Sequence, residues 1–248
     1  MIELVLTVPL FLCWGSFLNA LAYRLIAHQS LLTRSACPTC QKTIAWYDLI
    51  PVISFVALKG RCRSCHKRIS WLYPFIEILT AFVLSLVILR TPPPYWPAYI
   101  FFFSALIVSV RTDLEHMIIS RLVSLYAVPA GVLFTYTHAL PITSTSSIIG
   151  AAVGYGSLWL IKELFFALTH KEGLGQGDLD LLAFIGAFVG IIGVFPTLLI
   201  ASTSGALFGI ICIITGKASR KTRIPFGPFL ALGAIIVVLY GLPNFLLL

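Results

Sequence analysis

The feature that most constrains this chain is the recurrence of apolar runs of about 20 residues, each long enough as a helix to cross a hydrocarbon core about 30 Å thick. Of the 248 residues, 59% are hydrophobic and only 10% charged, where a soluble domain carries roughly a quarter charged. Within lipid a spanning segment must satisfy its own backbone N–H and C=O groups, so such runs fold as helices. The spacing predicts an all-α polytopic membrane protein with about eight transmembrane helices, at 3–23, 72–89, 97–112, 117–138, 147–168, 179–194, 197–215 and 228–247. Stretches rich in Pro, Gly, Ser and Thr, such as "TPPPYWP" (91–97) and "HALPITSTSS" (138–147), mark the boundaries. The sixth and seventh helices are divided by little more than Pro196. The first run, Leu4 to Tyr23, has only Glu3 before it and no small-residue cleavage site after it, so it reads as a retained helix and not as a signal peptide.

Lys and Arg orient these helices. With the N-terminus outside, alternate crossings place 24–71 in the cytosol, with Arg24, Arg34, Lys42, Lys59, Arg61, Arg63, Lys67 and Arg68. The same count puts Arg111, Arg121, Lys171, Lys217, Arg220, Lys221 and Arg223 on that side and leaves only Arg90 in an outside loop. The net charge of +8 is therefore a topology signal. It flanks helices and forms no continuous stripe, which argues against nucleic-acid binding.

The polar segment 24–71 contains "CPTC" (37–40) and "CRSC" (62–65), two Cys-x-x-Cys pairs separated by 21 residues. Cys37, Cys40, Cys62 and Cys65 together can present four thiolates to one tetrahedral zinc. A redox dithiol and paired disulfides are the competing readings, and a reducing cytosol disfavours the latter. A loop this short and polar builds little core of its own, so a bound metal would supply folding energy. His66, beside Cys65, is a rival ligand, while Cys13 and Cys212 lie in helices as small hydrophobes.

Nine acids remain to be placed. Asp113 follows the third helix in "VRTDLEH", and Asp178 opens the sixth behind Gly173, Gly175 and Gly177 in "GLGQGDLD". Both fall at the cytosolic boundary by the crossing count. Two carboxylates brought together at a low-dielectric rim share a proton, which provides a general acid and a general base in one site. The glycines at 175 and 177 let an extended substrate backbone approach the acid. The alternatives are a helix cap at Asp178 or Asp180 and an ion pair of Asp113 with Arg111 or Arg121. Glu115 and Asp180 compete as reacting acids, and Glu77 is either a site residue or a partner for the basic loop.

Four ordered motifs, "GSFLNALAYRL" (15–25), "CPTCQKTIAWYDLIPVISFVALKGRCRSCHKRISWLYPFIE" (37–77), "KEGLGQGDLDLLAFIGA" (171–187) and "IPFGPFLALG" (224–233), resemble the bacterial type IV prepilin peptidase family. The resemblance implies a membrane aspartic endopeptidase that removes the basic leader of prepilins and pseudopilins at the cytosolic face. It also implies N-methylation of the new terminus with S-adenosylmethionine. It puts the catalytic pair on Asp113 and Asp178, the Gly-x-Gly-Asp motif on Gly175 to Asp178, and the zinc ligands on the four cysteines. The chain departs from the pattern at two places: Ser120-Arg121 stands where Pro-Asp is common, and Asp180 where Lys is common. The implied organisation is a first helix (1–23), a cytosolic four-cysteine zinc domain with the methyltransferase region (24–71), and the peptidase domain (72–248). A peptidase without methyl transfer shares all these motifs. A transporter or an assembly scaffold with a zinc ribbon is the non-enzymatic alternative, but the repeats and midplane acids of a transporter are not seen.

A reporter fused after Lys67 is expected to read as cytosolic, and one fused after Pro93 or Thr143 as external. A cytosolic signal at Thr143 would overturn the crossing count and, with it, the shared side of the two acids.

Overall fold

The computed structural model describes residues 2–27, 29–30, 33–171, 173–216 and 222–241. His28, the basic residues Lys217, Arg220 and Lys221, and the expected end of the last helix at 242–247 lie outside the described residues. Among the described residues the chain is helical, with two isolated β-bridges and no strand. Five helices are long and apolar enough to cross a membrane, and two apolar helices are shorter. The chain divides into two compact units, Met1–Leu89 and Arg90–Leu248.

The first unit holds α1 (Ile2–Ala27), a short α2 (Ile53–Ala57) and α3 (Leu72–Arg90). Gly15 brings α1 close onto α3: a Cβ there would sit 2.9 Å from Glu77 Cα. One turn further on, buried Asn19 donates through Nδ2 to the Tyr73 carbonyl at 3.0 Å. Interhelical contact in lipid depends on such small residues and polar bonds, because no hydrophobic drive separates helix from solvent there.

The second unit holds α4 (Trp96–His116), α5 (Val128–Tyr136), α6 (Ser144–Thr169), α7 (Gln176–Ile214) and α8 (Gly227–Tyr240). Its core is the first part of α7, where Leu179 through Phe188 are all buried, against α4. Phe102 of α4 stacks on Phe188 at 4.7 Å and packs on Phe184 at 5.4 Å between ring centroids. A helix apolar on every side is one enclosed by others. The third helix was expected to end at 112 but runs to His116, so Asp113 lies inside its last turn. The fourth helix, expected from 117, starts only at the 3-10 turn Leu125–Ala127, because Met117 takes a left-handed conformation (φ 53) and stops α4.

The division expected at Pro196 lies instead at Gly190, with φ 71 and ψ 177. Proline's fixed φ suits a helix and costs one hydrogen bond, whereas a positive φ with extended ψ is open essentially to glycine alone. With that break, α7 comprises two helical segments, and the expected sixth and seventh helices are both present. Ser146 Oγ accepts from the Ile191 N–H released by the break, at 3.4 Å. The break sits on a helix crossing. "GAAVG" (150–154) in α6 meets "GAFVG" (186–190) in α7, and a Cβ on Gly150 would lie 2.3 Å from the Gly186 carbonyl oxygen. Ser147 Oγ donates across the same crossing to the Ala187 carbonyl at 2.6 Å.

Gly150→Ala is therefore expected to force the helices apart and cost about 1–3 kcal/mol through overpacking. Gly156→Ala, where a Cβ meets nothing within 4 Å, should be neutral or slightly stabilising. Thermal unfolding in detergent checks this, and equal midpoints for the two variants would refute the backbone crossing.

Candidate functional site

Asp113 and Asp178, both in the second unit, sit where helices end. Asp113, in the last turn of α4, is 5% exposed. Its Oδ2 accepts the backbone N–H of Gly227 at 2.9 Å. That N–H belongs to the first residue of α8, one of the donors a helix start leaves unsatisfied. A Cβ at Gly227 would lie 2.7 Å from the same oxygen, so only glycine allows the bond. The sequence alone gives Gly227 no part in the site. The available signal was "FGP", a glycine just ahead of a proline at the first positions of a helix.

Asp178 occupies the third position of α7, after the N-cap residue Gly175. Its carboxylate turns back to the Gly175 backbone, as the acidic member of a capping box does. Asp178 is only half-buried and lies within electrostatic range of Asp113. Ile119 lies against Gly177, the neighbour of Asp178 in the chain, and against Gly227, whose N–H is bound to Asp113. A Cβ on Gly177 would be 2.9 Å from Ile119 Cβ, and one on Gly227 would be 3.2 Å from Ile119 Cδ1. Gly177 thus makes room for the chain's own Ile119, while Gly175 is exposed next to Asp178.

The other charged groups of this region pair among themselves. Buried Arg111 is bound to Glu115, and Arg121 donates through Nε to Asp180 Oδ2 at 3.2 Å.

The four cysteines of the first unit converge. Their sulfurs all lie within 4.8 Å of one another, and Cys37 Sγ and Cys65 Sγ are 3.9 Å apart. Four sulfurs about 2.3 Å from one zinc have edges of about 3.8 Å, so the set fits the ion. His66 is not in the cluster. The two halves repeat one turn: Cys37 N–H to Lys42 O at 3.0 Å and Gln41 N–H to Cys37 O at 2.9 Å match Cys62 N–H to Lys67 O at 2.9 Å and His66 N–H to Cys62 O at 3.0 Å. Gln41 and His66 are both left-handed, at φ 58 and 55.

The turns aim N–H groups at sulfur. Those of Cys65 and Ser64 hold the Cys62 thiol down to about 6, and those of Cys40 and Thr39 lower Cys37. Cys65 is raised to about 11: the Lys67 N–H favours its thiolate, but desolvation and the neighbouring sulfurs of Cys62, Cys40 and Cys37 outweigh it. Four thiolates this close need a cation among them.

Arg63 fastens the second turn by a bidentate pair with Asp48 (2.8 and 2.6 Å), which holds Asp48 below the usual carboxylate range. Glu77 is a partner of the loop's backbone and not of its basic side chains. Its Oε2 accepts from Val52 N–H at 2.8 Å. Val52 has φ 60, a strained conformation for a β-branched residue.

Residues 10–91 match the model of the bacterial peptidase A24 N-terminal domain, and residues 100–210 that of the type IV leader peptidase family. A prepilin leader peptidase/N-methyltransferase of Aeromonas salmonicida (strain A449) is 38% identical, with 85% of this chain and 72% of the relative covered. One of Bacillus subtilis (strain 168) is 33% identical, with 92% and 90% covered. The type 4 prepilin-like proteins leader peptide-processing enzyme of Escherichia coli O78:H11 is 34% identical, with 84% and 76% covered. No solved structure matches the chain significantly. Matched in both its halves and over most of each relative's length, the chain belongs to the type IV leader peptidase family.

Proposed function

We propose that this protein is a membrane aspartic endopeptidase that cleaves the basic leader from type IV prepilins or pseudopilins at the cytosolic membrane face. The observation that carries this reading is that Asp178, at the start of α7, lies within electrostatic range of Asp113, at the end of α4. One of the two takes a proton from water while the other donates to the scissile carbonyl. Asp113 gives Oδ2 to Gly227 N–H, which fixes its plane and leaves Oδ1 for water or substrate. The exposed backbone at Gly175, with Gly177 behind it, is the edge along which an extended peptide docks. The substrate's apolar helix stays in the bilayer and its basic leader in the cytosol, so the bond to be cut lies at the depth of the two acids. On this reading the N-terminus is outside, and the acids and the cysteine loop face the cytosol.

Cys37, Cys40, Cys62 and Cys65 would hold a structural zinc, whose binding energy substitutes for a core that the loop lacks. N-methylation of the new terminus comes from the relatives' names. S-adenosylmethionine would supply the methyl group, but among the described residues no cradle for it is identified. At Gly60 the space a Cβ would take is met by the Phe55 ring at 3.0 Å, so Gly60 serves the turn after α2 and no methyl-transfer step is assigned to it.

Two measurements test this. Replacing any of the four cysteines by Ser should remove stoichiometric zinc and lower the thermal stability of the purified protein. A zinc-free wild type with the cysteines disulfide-linked in vivo would end the metal reading. Asp113→Asn and Asp178→Asn should each reduce leader cleavage by at least about 10²-fold, since an amide neither takes nor gives a proton near neutral pH. Membrane insertion and zinc content should persist in both. Glu115→Gln is the control expected to stay active. Near-wild-type cleavage by Asp178→Asn, read by N-terminal sequencing of a co-expressed prepilin, would remove the two-aspartate mechanism.

A further inference from the structure

We infer that the Arg121–Asp180 ion pair is a positioning clamp that sets the rotation of the first turns of α7 and so aims Asp178 at Asp113. The inference rests on the reading of those two aspartates as the reacting pair.

Asp180 is the most enclosed acid of the described chain, 1% exposed. A carboxylate persists in such a place only when its oxygens are occupied, and both are. Oδ2 takes the Arg121 Nε–H at 3.2 Å, and Oδ1 takes Gln176 Nε2 at 3.3 Å. That same nitrogen lies 3.0 Å from Tyr155 Oη on α6. The carboxylate therefore ties three pieces of chain together: the α4–α5 connection, the first turn of α7, and α6.

Helical geometry shows what the tie does. Residues advance about 100° each around a helix, so Asp180 stands roughly 200° from Asp178, on the far face of the same turn. Asp178 lies within electrostatic range of Asp113, while Asp180 is bound to Arg121 and, through Gln176, tied to Tyr155 of α6. Holding the far face prevents the turn from rolling. The run before it cannot provide that stiffness, because Gly173, Gly175 and Gly177 contribute no side chains, and the first turn of a helix lacks four backbone bonds.

Residues 119 to 121 serve both faces, Ile119 against Gly177 and Gly227, and Arg121 against Asp180. With both oxygens engaged on the far face, Asp180 has no access to the reacting bond and is a positioning residue.

The test uses the full-length protein in detergent with a purified prepilin. Initial rates give kcat and KM, and thermal unfolding is measured beside them. Arg121→Ala and Asp180→Asn should each lower kcat roughly 10- to 100-fold, as misplacement of a reacting group does, with KM little changed and the protein folded. The exchanged pair, Arg121→Asp with Asp180→Lys, should recover most of that loss, which a merely local structural role for either residue would not produce. Wild-type kcat in both single variants, or a folded exchanged pair no faster than the slower single, overturns the clamp. Should Asp180→Asn fail to accumulate, Arg121→Gln decides, because that side chain is 57% exposed and its loss leaves no cavity. Wild-type kcat there also overturns the clamp. Asp178→Asn is run alongside. If it is active, the reading of the reacting pair fails and the clamp goes with it. If it is inactive while the clamp variants are wild type, only the clamp fails.

Discussion

The backbone crossing of α6 and α7 is the constraint on which the second unit depends. Lipid tails are as apolar as leucine, so these helices gain little by hiding apolar surface from their surroundings. They associate through dispersion at close range and through hydrogen bonds. Glycines at 150, 154 and 186 remove the side chains that would hold the backbones apart, and Ser147 reaches the Ala187 carbonyl across the gap. Once that crossing is fixed, the start of α7 is fixed about two turns below it. The break at Gly190 follows from the same demand, since it tolerates irregular backbone only where Ser146 of α6 can receive the freed N–H.

Acids beside a bilayer present one electrostatic problem, and the chain meets it in several ways. Asp113 and Glu77 each accept a backbone N–H, from Gly227 and Val52 respectively. Asp178 uses the unsatisfied end of its own helix. Asp180 takes a full counter-charge from Arg121. The first three leave the carboxylate's second oxygen outside an ion pair, and a neutral donor does not bind it as a guanidinium would. Only the acid with both oxygens engaged is removed from chemistry. The two proposed for proton transfer are held just firmly enough to keep their orientation.

Much of this was legible in the sequence, for identifiable reasons. Apolar runs report helices because the bilayer imposes their length, and two Cys-x-x-Cys pairs report a tetrahedral cluster because sulfur geometry admits few alternatives. The side chains that fill the space between elements were not legible. Nothing in "MIISR" shows that Ile119 lies beside Gly177 and Gly227, or that Arg121 crosses to Asp180. Gly190 was passed over for Pro196 because proline is the stronger break signal in a sequence, although its φ is compatible with a helix and that of Gly190 is not. Glu77 reads in the sequence as either a site residue or a partner for the basic loop, and in the structure it accepts a backbone N–H of that loop. Sequence patterns register charge, whereas a strained turn at Val52 has no residue signature.

The Arg121–Asp180 pair is held by attraction, and attraction alone does not fix which member is the acid. Coulomb attraction between two groups is unchanged when their signs are exchanged, so a pair that acts only as a clamp can be inverted. The surroundings are not symmetric, however. Position 180 lies near the N-terminus of α7, where the helix dipole favours an anion, by about 0.3–1 kcal/mol at exposed sites. The acid there is buried, and its arginine stands on an exposed connection. Arginine's delocalised cation is also more weakly hydrated than an ammonium and can engage a carboxylate while remaining half in water. A reacting aspartate has no such freedom, because its role depends on the proton it carries. On the proposed reading, Asp180, two residues from Asp178 on the same turn, holds while Asp178 reacts, and only the holding pair could exchange its signs.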